Sequence, residues 1–151
     1  YPALVTEVRH PNGFVEQAVY DARGNRVEQT AVDPYGDGRN ATTRYQYADT
    51  LWPDFVTRIT GPEGVASTAV PDDDIFEFGY DPLTGNRLWQ QDARGDSSRV
   101  AFRYDALGLL RAVDAPLTPP DSVEYDARGN LRRTRTPSGF VTEYLKDALG
   151  R

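Results

Sequence analysis

Tyr20-Asp21-Ala22-Arg23-Gly24-Asn25 recurs unchanged as Tyr125-Asp126-Ala127-Arg128-Gly129-Asn130. Tyr104-Asp105-Ala106-Leu107-Gly108 is a third copy, and Tyr80-Asp81-Pro82-Leu83-Thr84-Gly85-Asn86 a fourth with one extra turn residue. Lys146-Asp147-Ala148-Leu149-Gly150 is a fifth with Lys in the Tyr slot, and Tyr47-Ala48-Asp49 a weaker sixth. A second element alternates with these copies. Pro11-Asn12-Gly13-Phe14-Val15 precedes Tyr20, Pro137-Ser138-Gly139-Phe140-Val141 precedes Lys146, and Pro62-Glu63-Gly64-Val65 lies upstream of Tyr80. The minimal unit is about 21 residues with insertions, a period that marks a repeat architecture.

Each half of the unit has a physical reading. Asp at the first turn position accepts backbone N–H bonds, the middle pair tolerates the right-handed helical region, and Gly supplies positive φ at the close. That describes a type I turn followed by a Gly bulge, a common hairpin connection. The turns should therefore begin at Asp21, Asp81, Asp105 and Asp126, with positive φ at Gly24, Gly85, Gly108 and Gly129. Between turns the residues alternate as strands: Phe76, Phe78 and Tyr80 share one face, as do Val100, Phe102 and Tyr104. A constant distance from the turn places Tyr20, Tyr80, Tyr104 and Tyr125 on one side of the sheet, with the stem of Lys146 over the same surface. No helical apolar period of useful length appears. The fold class is all-β: an array of about a dozen short antiparallel strands, one hairpin per unit, with residues 1–151 forming a single stretch of about six degenerate repeats.

Composition bounds the partners. The 151 residues are enough to bury a sizeable core, and 38% are hydrophobic, with nine Tyr and two Trp. Gly, Pro and charge alone would also fit disorder, but regularly placed aromatics do not. A net charge of −6 argues against nucleic acid or an anionic membrane as partner. The densest basic run, Arg132, Arg133 and Arg135, reads as a solvated strand face. No apolar stretch is long enough to span a bilayer. Without cysteine there are no disulfides, thiolate metal sites or thiol nucleophiles. A start at Tyr1 and an end within a repeat suggest an excised piece of a larger protein.

Tyr-Asp-x-x-Gly turns alternating with Pro-x-Gly turns at this spacing resemble the RHS/YD-repeat family. The resemblance covers nearly the whole chain and is weakest across Asp33 to Asn40 and Ala66 to Asp74. It implies a curved, spiralling sheet of hairpins that forms part of a hollow shell. Bacterial members, including toxin-complex subunits and polymorphic toxins, enclose a C-terminal effector in such a shell, and animal teneurins use a similar one in adhesion. It also implies that this chain is a bacterial wall segment, secreted or at the cell surface. Its partners would be the remaining repeats and an enclosed effector domain, and its two sheet edges would await missing neighbours. Asp33-Pro34-Tyr35-Gly36 matches the family's self-cleavage signature in four letters, but recognisable repeats follow it and it reads as a turn.

Candidate chemistry is sparse. His10, the single histidine, adjoins the first Pro-Asn-Gly turn with no serine beside it, so a surface role is favoured over catalysis. Asp72-Asp73-Asp74 and the run from Asp33 to Asn40 are the only candidate metal ligands, and the latter lacks the donor pattern of a calcium loop. Most Asp residues already have a turn role, which lowers the prior for a carboxylate pair of glycosidase type. The glycines follow the repeat and cradle no phosphate. No cofactor, metal site or enzymatic activity is expected. Trp52, in the insertion Asp49-Thr50-Leu51-Trp52-Pro53, is the possible ligand contact, with a packing role as its rival. The leading hypothesis is a structural wall segment that encloses or scaffolds a cargo. The alternative is a surface recognition module that binds glycan or protein through loops around Trp52 and Asp72 to Asp74.

Overall fold

The computed structural model describes residues 4–62, 74–116, 118 and 121–147. Glu63 to Val65, Asp72, Asp73 and the last three residues of the fifth repeat copy lie outside them. The described strands are β1 (Glu7–Arg9), β2 (Val15–Tyr20), β3 (Arg26–Val32), β4 (Ala41–Gln46), β5 (Arg58–Thr60), β6 (Ile75–Tyr80), β7 (Arg87–Asp92), β8 (Val100–Tyr104), β9 (Leu110–Asp114), β10 (Asp121–Tyr125), β11 (Leu131–Arg135) and β12 (Val141–Glu143). They follow one another in chain order in one antiparallel sheet, so the all-β hairpin array expected from the repeat is what the chain forms. Gly95–Ser98 forms a 3-10 turn before β8.

The chain divides into two compact units, residues 1–78 with 92–94, and residues 79–91 with 95–151. In the first, residues paired across strands share a face. Ala18 pairs Gln29, Gln29 pairs Thr43, Tyr45 pairs Ile59, and Ile59 pairs Phe76. Alternation along each strand then gathers Tyr20, Tyr45, Ile59 and Phe76 on one side. The other side carries Glu28 bonded to Arg44 (3.1 Å), Thr30 to Thr42 (3.0 Å) and Arg58 to Glu77 (3.2 Å). The second unit repeats the division. Phe102 pairs Val113, which pairs Asp121, so Tyr104 and Tyr125 share a face. Arg103–Asp114 (2.7 Å) and the looser Glu124–Arg133–Glu143 contacts lie on the reverse.

One register serves three hairpins. Tyr20 pairs Arg26 and Val19 pairs Glu28; Tyr104 pairs Leu110 and Arg103 pairs Ala112; Tyr125 pairs Leu131 and Glu124 pairs Arg133. Each shifts register between the Tyr and the residue before it. That shift is the expected Gly-bulge geometry, one extra residue on the outgoing strand.

The described residues do not form the sizeable core that chain length allowed. Among the described residues no hydrophobic side chain is buried; Thr30, 9% exposed, is the buried polar one, and Phe76 is 48% exposed. The reason is the single layer. A side chain on a one-sheet surface is screened by its lateral neighbours alone, and full burial needs a second layer packed on the face. Cohesion therefore rests on the backbone ladder, the turns and half-buried lateral contacts.

Because the turn glycines hold φ of +73° to +93°, a side chain there is strained whatever the space around it. Gly129→Val should lower stability by about 1–2 kcal/mol in a urea titration of the whole chain. An unchanged midpoint would show that the turn tolerates another conformation.

Candidate functional site

The repeated feature with the most specific geometry is the turn, which closes by the same bonds each time. Asp21 N–H donates to Asn25 O (2.9 Å) and Gly24 N–H donates to Asp21 O (3.1 Å). The Asp21 carboxylate then accepts from the backbone N–H groups of Arg23 and Asn25, both at 2.9 Å. Asp126 accepts from Arg128 and Asn130 at the same distances, and Asp105 from Leu107 (2.9 Å) and Leu109 (3.0 Å). In the longer fourth turn Asp81 accepts from Leu83 and Thr84, both at 2.8 Å. Gly24, Gly85, Gly108 and Gly129 have φ of +93°, +73°, +77° and +80°.

The carboxylates register these donors. The Thr84 and Leu83 amides hold the Asp81 carboxyl below the usual carboxylate range. For Asp126 the Asn130 side chain and backbone N–H lead the same lowering. At Asp21 partial desolvation pulls upward, but the amides of Asn25, Arg23 and Gly24 and the Asn25 carboxamide outweigh it.

The Tyr slot does more than pack. The Tyr20 hydroxyl donates to Val5 O (3.0 Å), Tyr47 to Arg26 O (2.9 Å) and Tyr104 to Arg87 O (2.9 Å). Each ring reaches back to the start of the preceding strand and fastens hairpin to hairpin. Tyr80 and Tyr125 are half-buried, and Lys146 is exposed. The residue after one turn Gly also packs on the Gly of the next turn. Asn86 lies against Gly108 and Leu109 against Gly129, each 3.6 Å from where a Cβ would stand.

The second turn class uses the same closure with other residues. His10 N–H donates to Phe14 O and Gly13 N–H to His10 O; Thr136 N–H donates to Phe140 O and Gly139 N–H to Thr136 O. His10 and Thr136 thus occupy the place of the turn Asp. The His10 ring lies 3.2 Å from a Glu16 carboxylate oxygen. The loop from Asp33 also turns on itself: Gly38 N–H donates to Asp33 Oδ1 and Arg39 N–H to Asp37 Oδ1, with Asp33 at φ +44°.

The weak sixth copy proves regular in function. Asp49 Oδ1 accepts from Leu51 and Trp52 N–H (2.9 and 3.1 Å), so this Asp caps its loop two residues after Tyr47. The loop sits on the Asp21 turn, where Asn25 Nδ2 donates to Pro53 O (3.3 Å) and Asp54 Oδ1 (3.0 Å). Trp52 stacks on Phe55 with centroids 5.4 Å apart. Two features escaped the sequence reading. Asp92-Ala93-Arg94-Gly95 repeats the turn letters outside the Tyr phase; its Asp92 Oδ1 accepts from Arg94 N–H and Gly95 has φ +64°. Trp89 covers Gly79, whose missing side chain leaves room for the indole, and the Arg99 guanidinium lies 4.5 Å over the ring centroid. Their signals were a displaced Asp-Ala-Arg-Gly and a glycine inside a strand.

No family model and no curated protein matches the chain. Solved structures do. The Tc holotoxin pore of Photorhabdus luminescens, in a TccC3 point mutant, matches over 90% of this chain with a TM-score of 0.57 at 19% identity. A TcdB2–TccC3–Cdc42 complex matches over 87% with a TM-score of 0.58, also at 19% identity. This chain spans 6% of the matched chain in each case, and the likeness is one of fold. Among the described residues no helix is long and apolar enough to cross a membrane.

Two measurements probe the turns. Because Asp21, Asp81 and Asp126 have lowered folded pKa values, the unfolded chain binds more protons on the acid side. Their contribution should be complete above the unfolded Asp value of about 3.9 and disappear as pH falls through the lower folded values. Chemical denaturation between pH 2 and 6 checks this, and a triple Asp→Asn variant should flatten the acid limb. Separately, Tyr104→Phe should cost about 0.5–1.5 kcal/mol, the net value of one hydrogen bond, and no loss in a thermal melt would exclude the tyrosine tether.

Proposed function

We propose that this chain is a wall segment of an RHS/YD-repeat shell, one that encloses or scaffolds a cargo such as a C-terminal toxin domain. The observation that carries the reading is a sheet with a repeated hairpin register and, among the described residues, no buried hydrophobic side chain. Such a sheet suits a wall built by adding hairpins along one direction, with neighbouring strands supplying what a core supplies elsewhere. The fold likeness to Tc holotoxin structures supports it, as does the recurrence of Asp turns between connections of varying length. In this reading the chain is not an enzyme: its turn Asp carboxylates serve backbone amides, several others pair with arginines across strands, and its partners are further repeats and an enclosed effector. A secreted bacterial origin accords with it. Curvature of the sheet, needed for closure, is part of the proposal. The stacking of Trp52 on Phe55, in a loop bonded to the Asp21 turn, supports a packing role for that side chain.

Electron cryomicroscopy of the protein that carries these repeats tests the reading. Residues 4–147 should lie in a continuous wall one sheet thick around internal density. A segment exposed to solvent on both faces, with no enclosed volume, would contradict it. Glycan-array binding lost in Trp52→Ala would instead favour the recognition module.

A further inference from the structure

Two departures from the repeat letters fall on neighbouring hairpins and open the same groove. In the Asp21 and Asp126 turns the Asn after the Gly closes on the carboxylate: Asn25 Nδ2 donates to Asp21 Oδ2 (3.2 Å) and Asn130 Nδ2 to Asp126 Oδ2 (3.1 Å). In the Asp105 turn Leu109 takes that place. Both amides are bonded to Asp105 Oδ1, and Oδ2 has no donor among the described residues. In the Asp81 turn the extra residue carries Asn86 one step further from the Asp. The Asn86 backbone donates to Thr84 Oγ1 (3.3 Å) and accepts from Asp81 N–H (2.8 Å). Its carboxamide lies against Gly108 and has no bonded partner among the described residues.

Asn86 and Asp105 line one groove of about 450 Å³ between these turns, with Leu88, Phe102 and Tyr104 along it. Small-molecule sites typically measure about 300–1,000 Å³. These five residues belong to the second compact unit, and β7 and β8 are each paired on both sides. The apolar part of the groove is set in advance. Gln90 pairs Val100, so alternation places Leu88, Phe102 and Tyr104 on the face of that pair. The Arg87 guanidinium stands 5.0 Å over the Phe102 ring centroid, and the Tyr104 hydroxyl donates to Arg87 O (2.9 Å). A ligand meets rings that are already ordered, which lowers the cost of binding.

The groups on offer select the occupant. Asn86 supplies a donor and an acceptor, and Asp105 Oδ2 an acceptor. Asp81 and Asp105, both at the groove, repel an anion. A cation would compete with Arg87 for the Phe102 ring. An extended peptide finds no open strand, because β7 and β8 are already paired on both sides. A neutral ring bearing adjacent hydroxyls meets every requirement: its hydroxyls donate to Asp105 and exchange bonds with Asn86, and its C–H face covers Leu88 and the aromatic rings. At the Asp21 turn the chain fills the corresponding need itself, since Asn25 Nδ2 donates to Pro53 O (3.3 Å) and Asp54 Oδ1 (3.0 Å).

We propose that the groove between the Asp81 and Asp105 turns is a saccharide subsite, in which Asp105 Oδ2 and the Asn86 carboxamide bond adjacent hydroxyls of one sugar ring. The inference goes beyond the wall-segment reading and rests neither on it nor on Trp52.

Proton–nitrogen correlation NMR of the 151-residue chain tests this, titrated with the methyl glycosides of glucose, galactose and mannose and with maltose, cellobiose and lactose. At least one probe should shift the Asn86 side-chain amide signals, with a dissociation constant of about 1–10 mM, the scale for a single sugar ring. The Asn25 and Asn130 side-chain signals, already bonded within the chain, should stay in place. Asn86→Leu reproduces the packing of Leu109 on Gly129, so it should keep the native spectrum yet weaken binding about tenfold, the loss of two ordinary hydrogen bonds. Asp105→Asn, which keeps an oxygen for the turn amides, should also weaken it. No shift at Asn86 with any probe overturns the proposal. So do equal shifts at Asn25 and Asn130, affinity unchanged in Asn86→Leu, or a response to ethylammonium chloride with none to the sugars.

Discussion

The structure depends on a carboxylate that accepts two backbone amides across a turn. At Asp21, Asp105 and Asp126 the donors are the second and fourth residues onward, and the glycine between them stands at positive φ. The Asp supplies acceptors that would otherwise have to come from water, and the Gly supplies a conformation that a side chain would strain. Together they set which residues of the next strand face which residues of the last. Because side chains alternate, that choice also decides which face of the sheet every following residue occupies.

From the turn, order passes sideways. The tyrosine before the Asp is held by the turn at one height on the strand, and its hydroxyl finds a carbonyl on the preceding hairpin at Val5, Arg26 or Arg87. On the reverse face, directly opposed pairs such as Glu28–Arg44 and Arg58–Glu77 neutralise each other across strands. Exposed ion pairs of this kind contribute little energy singly. Their value lies in register: a slip by one residue would bring the charged rows onto the aromatic face. A sheet whose described residues bury no hydrophobic side chain thus has its alignment specified three times over, by turn, tyrosine and charge.

Much of this was legible in the chain. The Tyr-Asp copies gave the hairpins because each letter has a local cause: a side-chain acceptor, a permissive glycine, a fixed distance to the ring. What lay beyond local causes was not legible. Hydrophobic content of 38% fits a packed core as well as a bare sheet, since composition does not say whether a second layer exists. The hydroxyl of Tyr104 bonds a carbonyl 17 residues away, and no pattern around either residue shows it. Asp92-Ala93-Arg94-Gly95 was hidden by its phase, and the role of His10 by its identity, because in a Pro-x-Gly turn the backbone closes the loop without a carboxylate. The fit of Trp89 to Gly79 required the register of a hairpin, not a motif.

Amide hydrogen exchange of the native chain, resolved by NMR, tests the primacy of the turn clamp most directly. The backbone amides of Arg23, Asn25, Leu107, Leu109, Arg128 and Asn130 are bonded to carboxylates and not to the strand ladder. If those carboxylates set the register, these amides should be protected to a degree comparable with the adjoining strands, and open together with them in dilute denaturant. Exchange of these six amides at the rate of an unstructured peptide, while the strands stay protected, would contradict the account, because the sheet would then be holding the turns.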